Sequence, residues 1–494
     1  MSGPEKIAII GSGPAGFGAL ARLVALKRAG RDLEITVFAS GNADQEARVQ
    51  ADYKERFDAR DINQTLKSSK ALGEGGLLPP RCFNNEPVTS HRGHDGLKTE
   101  IKISDSFGGI GNYWSSSVFP NHHLHDPVVN KLGDLKDHYD FIADLIPVAG
   151  QKDDPLSCFF DESSLNQPGL DLDPALDDLR GTAKKESFDL AIGANRFALK
   201  TEASDQNACI ACGDCMYGCP RDAIFRAARP IWEMAQEGLC QIIYEEVVQF
   251  SGTDLKTVTQ TQTFDKIFVC GGALGSSQLV RNSLGKPEKQ IELYDTMLWY
   301  FPALSFWPKK TGRADRGIAF AELAGGLCET ETKSYNHLLV SRFPNAIVDN
   351  VLGRSDFSQL MASLGGKFAL IAAMYGSDQE YITYGLEERD GSLKAVSKTK
   401  SVEHMDEAKF KAFAGYLSDK GWYAHKKLVM ENATSSHYAA NLGFAYGIDG
   451  LPQHGQISPN IYICDSAGWD GPSMSQQHSF TIMANASRLV QQTL

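Results

Sequence analysis

The 494-residue chain contains no run of ~18 or more apolar residues, so no helix is expected to cross a membrane. It also lacks a basic stripe. The formal charge is −12, the pI is about 5.5, and Lys309-Lys310 and Lys426-Lys427 are too short to follow a phosphate backbone, which excludes nucleic acid as a partner. No internal repeat or low-complexity tract is present. No leader-like apolar core is visible either, because the first apolar run, Ile7-Ala8-Ile9-Ile10, leads straight into a glycine turn. A cytoplasmic protein is the expectation. The ten cysteines are unevenly spread, with four inside eleven residues. Without a secretion signal, that clustering points to metal and away from disulfides. Glycine is in excess, at 46 residues or about 9% against a usual ~7%. A chain of this length predicts about three domain-sized units, or two larger interleaved ones.

The order of elements predicts an α/β fold. Residues 5–10 read as a strand, 14–30 as a helix closed by Gly30, and 33–38 as a second strand, which together make one βαβ unit. Residues 43–75 are polar and helix-prone, and 80–100 read as loop. A helix is expected over 130–147 and a connecting excursion over 150–187. Strands at 240–248 and 266–269 are expected to flank a turn. Aromatic-rich short strands over 290–400 predict an antiparallel sheet, followed by a helix at 406–418. The last sixty residues read as a strand at 461–465 and a closing helix at 480–492.

The turn Gly11-Ser12-Gly13-Pro14-Ala15-Gly16 has the form G-x-G-x-x-G between strand and helix. Gly11 allows the tight turn, Gly13 lets backbone approach a diphosphate, and Gly16 lets the helix pack on the strand. The helix start, with Pro14 and Ala15, presents free N–H groups to the phosphates. The acid that usually ends the second strand is absent: Ala39 stands there. Ser40, Asn42 or a backbone group is left to hold the ribose.

Cys209-Ile210-Ala211-Cys212-Gly213-Asp214-Cys215-Met216-Tyr217-Gly218-Cys219-Pro220 is the ferredoxin pattern C-x2-C-x2-C-x3-C-P. Cys209, Cys212, Cys215 and Cys219 are candidate ligands of an iron–sulfur cluster, 4Fe-4S or 3Fe-4S. In ferredoxins the fourth cysteine serves a second cluster, and no second motif exists here. Cys240 is a possible remote ligand. Zinc ligation and plain reduced or disulfide-linked cysteines fit the same spacing.

Three segments resemble the glucose–methanol–choline (GMC) oxidoreductases. Asp265-Lys266-Ile267-Phe268-Val269-Cys270-Gly271-Gly272-Ala273-Leu274-Gly275-Ser276-Ser277-Gln278-Leu279 resembles the family's second signature. Phe107-Gly108-Gly109-Ile110-Gly111-Asn112-Tyr113-Trp114 resembles its flavin-covering loop. Ile461-Tyr462-Ile463-Cys464-Asp465-Ser466-Ala467 with Thr481-Ile482-Met483-Ala484-Asn485-Ala486 resembles its C-terminal flavin block. The resemblance implies a Rossmann-type FAD-binding domain, discontinuous over 1–125, 200–290 and 430–494, with the cysteine segment at 205–225. An antiparallel-sheet substrate domain would cover 126–199 and 291–429. It implies flavin contacts at Gly108, Gly109, Gly111, Asn112, Val248, Gly271, Gly272, Ser276, Asp465, Ser466 and Thr481. Asp465 is expected to reach the ribityl chain or, through a water, the diphosphate. The loop after Gly108-Gly109 holds no histidine to tether the cofactor, so FAD is expected to bind without a covalent link. His122, His123 and His125 lie farther on and read as a solvated loop, and His454 as a surface residue.

Oxidising an alcohol with a flavin needs a base for the hydroxyl proton, and a neutral histidine suits that task. The resemblance places the base at His437. The second member falls at Gln477 by counting back from the last helix, while His478-Ser479-Phe480-Thr481 resembles the saccharide-oxidising branch and favours His478. The cysteine cluster resembles the branch of sugar dehydrogenases that pass electrons to a partner protein. The implied function is FAD-dependent dehydrogenation of a sugar or polyol, with Tyr113, Trp114, Trp299 and Tyr300 available to stack on a sugar ring. Two alternatives remain: an O2-using oxidase with structural cysteines, and a flavin and iron–sulfur electron-transfer module without its own substrate.

Overall fold

The computed structural model describes residues 3–42, 89–92, 100–120, 127–211, 219, 221–309, 321–342, 367–377, 379–389, 391–400, 406–424, 428–430, 437–472 and 477–494. The readings made for 43–75, most of 80–100, His122, His123, His125, Cys212 and Cys215 fall outside these residues, as does the side chain of Tyr113.

The architecture is the expected α/β one, with a parallel Rossmann-type sheet beside antiparallel sheets. Six strands form the first sheet, in the order Gln456–Ser458, Ile461–Ile463, Lys266–Val269, Glu5–Ile10, Leu33–Phe38, Gln241–Ile243. All neighbours run parallel except the outermost pair, Gln456–Ser458 with Ile461–Ile463. The central strands are near-continuous apolar runs because helices cover both faces of a parallel sheet. One face packs on helices Pro14–Arg28 and Ser479–Thr493, through Phe17, Leu20, Met483 and Leu489. The first helix ends as the sequence predicts. Gly30 takes a φ of +101 just past Arg28, the left-handed geometry a helix C-terminus favours.

The larger antiparallel sheet runs Tyr423–Ala424, Leu298–Leu304, Ala369–Tyr375, Tyr335–Arg342, Leu323–Glu329, Phe188–Ala194, Gly181–Lys185, with Leu428–Met430 also paired to the second of these. Its two faces differ. Trp299, Phe301, Leu338, Val340, Ala372 and Met374 point into the core under helix Glu407–Asp419. The opposite face carries Leu298, Tyr300, Leu339, Ala373 and Tyr375. A four-stranded antiparallel sheet, Ser392–Lys400, Tyr381–Arg389, Ile291–Thr296 and Tyr438–Ala440, completes the structure around the site.

Two expected elements and the placement of one residue differ in detail. The helix over 130–147 is two, Pro127–Leu132 and Lys136–Ala143, because Gly133 sits at φ +90 between them. The single strand over 240–248 is also two. Gln241–Ile243 joins the parallel sheet, and Val247–Ser251 begins a three-stranded meander with Asp254–Thr257 and Thr261–Thr263. Glu245 lies between them and accepts from the hydroxyls of Thr257 and Thr259, which pins the break. Trp299 faces the helix-covered core and is fully buried there, so it is not placed to stack on a sugar.

Candidate active site

The glycine turn is built as its spacing requires. Gly11 has φ +115, and a Cβ there would lie 2.3 Å from the Cys270 carbonyl oxygen. A Cβ on Gly16 would lie 2.1 Å from the Gly11 carbonyl oxygen, so helix and turn touch backbone to backbone. Gly13 has only ordinary contact, 3.6 Å to the Gly108 carbonyl oxygen, which leaves it the approachable member. The 104–113 segment folds over this turn. The Gly108 N–H donates to Ser12 Oγ at 2.9 Å, and a Cβ on Gly111 would lie 2.9 Å from the Pro14 ring. Asn112 braces the loop from inside, its amide donating to the Phe107 carbonyl at 2.7 Å, while its buried Oδ1 has no hydrogen-bond partner among the described residues. Ser40, exposed at the end of the second strand, donates to the Asp105 carbonyl at 3.2 Å, which ties that strand end to the same loop.

Asp465 ties several elements of the site together. Its carboxylate is buried and pushed up by desolvation, and it accepts from Gly272 N (2.7 Å), Ser276 Oγ (2.6 Å) and Ala467 N (2.9 Å). It therefore caps helix Gly272–Leu284 and the turn Ser466–Gly468 together, with three of about four acceptor sites used. Ser466 Oγ in turn donates to the Tyr438 carbonyl at 2.6 Å, fixing the strand that follows His437. Thr481, in the first turn of the last helix, shares a 2.6 Å hydrogen bond with the Tyr139 hydroxyl. Val248 sits half-buried in the small meander.

The two predicted histidines meet. The rings of His437 and His478 lie 4.7 Å apart, edge to face at 72°. Trp469, just past the turn that Asp465 caps, packs on His478 at 5.4 Å. Burial holds the His478 imidazole well below the ordinary histidine pKa, with the neighbouring His437 adding to the effect. Both of its ring nitrogens lack a hydrogen-bond partner among the described residues. A neutral imidazole offers one donor and one acceptor. Gln477 meets the same group through another ring, its amide donating to the Tyr375 hydroxyl at 3.2 Å.

Two residues of the site escaped the sequence reading. Tyr375 stacks on His437 at 5.5 Å and 28°, and His337 lies 5.9 Å from Tyr375. They come from neighbouring strands of the larger antiparallel sheet, in register through Leu338 and Met374. The strand of Tyr375 is apolar throughout, and that of His337 mixes polar and apolar residues on both faces, so no period-2 signal separated their faces. The lone histidine within Tyr335-Asn336-His337-Leu338-Leu339-Val340 was the available clue.

The cysteine segment lies near the loop but is only partly described. Cys209 and Cys219 pack in one small cluster with Phe197, Leu199, Ala223 and Ile224, with Trp114 against it. Each sulfur accepts a backbone N–H, from Ala211 at 3.3 Å and Ala223 at 3.2 Å. The Trp114 indole donates to the Phe225 carbonyl at 2.8 Å. Cys240 packs in the core around the first helix, where burial pushes its thiol up to about 11. No group of three or more His, Cys, Asp or Glu side chains is arranged to hold a metal among the described residues. His454, expected at the surface, hydrogen-bonds the Asp449 carbonyl at 2.9 Å in an exposed turn. No helix among the described residues is long and apolar enough to cross a membrane.

No family model and no curated protein matches the chain. Solved structures do. Pyridoxine 4-oxidase from Mesorbium loti superposes with a TM-score of 0.56 at 14% identity, covering 99% of this chain and 98% of that one. A fungal aryl-alcohol oxidase gives 0.54 at 9% identity, covering 99% of both chains. A formate oxidase of Aspergillus oryzae, studied for modification of its FAD, gives 0.50 at 8%, covering 99% of this chain and 98% of that one. The likeness extends over the whole length, and at these identities it is a likeness of fold.

Proposed function

We propose that the chain is an FAD-dependent oxidoreductase of the GMC type that oxidises an alcohol group of a small molecule. The observation that carries this reading is the His437–His478 pair, edge to face at 4.7 Å between the C-terminal end of the parallel sheet and the antiparallel sheet. The residues present fit the cofactor. Gly11, Gly13 and Gly16 make a diphosphate cradle, and Asn112 Oδ1 and the His478 nitrogens are buried polar atoms in need of partners. When bound there, FAD supplies the hydride acceptor that no side chain can provide. His437 takes the hydroxyl proton, and His478 orients the carbinol. Gln477 holds Tyr375 against the pair, and the 104–113 loop excludes water from above the glycine turn. The name of the aryl-alcohol oxidase agrees with alcohol chemistry, and that of the formate oxidase shows that the fold also serves another substrate, so the names do not define the substrate here. The sugar or polyol implied by the cysteine-bearing branch rests on the resemblance alone. In this reading the parallel sheet with its loop belongs to a cofactor unit at 1–125, 200–290 and 430–494, and the large antiparallel sheet to a substrate unit at 126–199 and 291–429.

Electron exit through an iron–sulfur cluster on Cys209, Cys212, Cys215 and Cys219 is the finer part of the proposal. Its support is the C-x2-C-x2-C-x3-C-P spacing and the N–H donors at both described sulfurs, an arrangement that suits thiolates bound to a metal. A cluster would supply one-electron transfer to a redox partner protein. The competing reading is an O2-using oxidase with structural cysteines, and the oxidase names of the structurally similar proteins are what supports it.

The test is anaerobic addition of alcohols while the visible flavin band is followed. Bleaching is expected, and acid precipitation should release all the FAD into solution. A preparation that binds FAD yet bleaches with no alcohol would refute the enzymatic reading in favour of an electron-transfer module. Protein purified without oxygen should hold roughly three or four irons per chain, most of them lost in Cys212→Ser. An iron-free, fully active preparation whose flavin is reoxidised rapidly by O2 would establish the oxidase reading.

A further inference from the structure

The sheet face opposite the histidine pair carries a polar atom that the proposed chemistry does not use. His337 is fully buried, and its two ring nitrogens differ. The Tyr335 hydroxyl donates to the Gly325 carbonyl at 3.2 Å and lies 3.1 Å from His337 Nδ1. A hydroxyl has one proton. With that proton on the carbonyl, the hydroxyl accepts from Nδ1–H, which fixes the tautomer and leaves Nε2 as a bare acceptor. Nε2 is buried and has no hydrogen-bond partner among the described residues. A buried acceptor without a donor is costly, so it marks a place where a donor belongs.

The position of that acceptor is informative. Nε2 is at the far end of the ring from the strand, and strand side chains stand away from the sheet. His337 shares its sheet face with Tyr375, which lies 5.9 Å away and stacks on His437 at 5.5 Å. Phe119 closes the other side of His337, edge to face at 5.0 Å. Tyr375 thus links His337 to the histidine pair, and His337 sits behind aromatic walls. Burial keeps His337 neutral, at a pKa of about 3, so Nε2 remains an acceptor at any working pH.

We propose that His337 is a specificity residue whose Nε2 accepts a hydrogen bond from a second hydroxyl of the substrate, about one ring's width from the carbinol that is oxidised. This rests on the alcohol-oxidising reading of the His437–His478 pair and narrows its substrate class. A hydroxyaryl alcohol and a cyclic polyol share that chemistry. A site built to receive a hydroxyl rejects the analogue that lacks it.

The experiment compares kcat/KM for paired substrates on the FAD-loaded protein: para-hydroxybenzyl against para-methoxybenzyl alcohol, and glucose against its singly deoxygenated analogues. The parent should prefer the hydroxylated member of one pair by roughly ten- to a hundredfold, and the responding pair identifies the source. His337→Phe, which leaves the Tyr335 hydroxyl its Gly325 partner, should collapse that ratio. His337→Gln, with an amide oxygen near the Nε2 position, should restore part of it. A ratio that survives His337→Phe, or a parent without preference in either pair, overturns the proposal. If no alcohol bleaches the flavin, the function reading fails by itself. Spectral titration with para-hydroxybenzaldehyde and para-methoxybenzaldehyde then decides on binding alone: a preference for the hydroxyl lost in His337→Phe supports the role of His337, and equal affinities overturn it.

Discussion

At the scale of single residues, the proposed function separates the site into groups that would meet substrate and groups that would place them. His437 and His478 were legible because the flanking motifs resemble a family in which such a pair has a fixed order. Their contact at 4.7 Å gives the order a geometry. Counting from the last helix left Gln477 and His478 as rivals for the second position, and in the fold His478 meets His437 directly while Gln477 reaches it through Tyr375. The expected kinetics follow. His437→Ala should retain FAD and slow single-turnover flavin reduction by roughly 10²–10⁴, the usual worth of a positioned base. His478→Ala should slow the same step. Gln477→Ala should act mainly on KM, by freeing Tyr375. Stopped-flow reduction resolves these outcomes, and parent-rate reduction in His437→Ala across the pH range would remove it as the base.

At the scale of elements, the sequence was most readable where one residue has one reason. Gly11, Gly16 and Gly30 sit where backbone contact or positive φ demands glycine, so strand, turn and helix boundaries around them were correct within a residue or two. It was least readable where the deciding fact is cross-strand register. Leu298, Trp299, Tyr300 and Phe301 are all apolar or aromatic, so alternation could not tell that Trp299 faces the core and Tyr300 the side of Tyr375. Tyr375 and His337 were hidden for the same reason. Asp465 was legible as a candidate flavin contact, but not as the carboxylate that also joins a helix start to the turn that holds Ser466 and Trp469. Gly18 makes a further element-level demand that the sequence did not reveal. A Cβ there would lie 2.2 Å from the Met483 carbonyl oxygen, so the first and last helices cross backbone to backbone. Gly18→Val must push these helices apart, at a cost of order 1–3 kcal/mol. Because the first helix starts at the glycine turn and the last follows His478, the variant should also hold FAD more weakly. Gly275→Ala, on an open side of helix Gly272–Leu284, should be neutral or stabilising by up to about 1 kcal/mol. Thermal melts and FAD retention on gel filtration compare the two, and equal losses would contradict the crossing.

At the scale of the whole molecule, burying neutral histidines makes the fold sensitive to acid. His337 is enclosed by Tyr335, Tyr375, Phe119 and Phe160, and the ionisable neighbour that adds to its shift is His437. Desolvation takes its pKa from an ordinary 6.5 to about 3. Above pH 6.5 the ring is neutral in both folded and unfolded chains, and stability does not depend on its protonation. As pH falls below that value the unfolded chain takes up a proton that the folded one refuses, so stability is lost progressively toward the folded pKa. At pH 5 this single group accounts for about 2 kcal/mol. His478 acts in the same direction, held low by the same kind of burial. The parent should therefore unfold at lower denaturant concentration as pH goes from 7 to 5, and His337→Phe should show a shallower decline, by about 2 kcal/mol over that interval. Each state must be measured with saturating FAD, because cofactor loss would also lower apparent stability. Parallel declines in parent and variant would mean that His337 takes up its proton in the folded protein, and that the acceptor at Nε2 is not held neutral by the sheet around it.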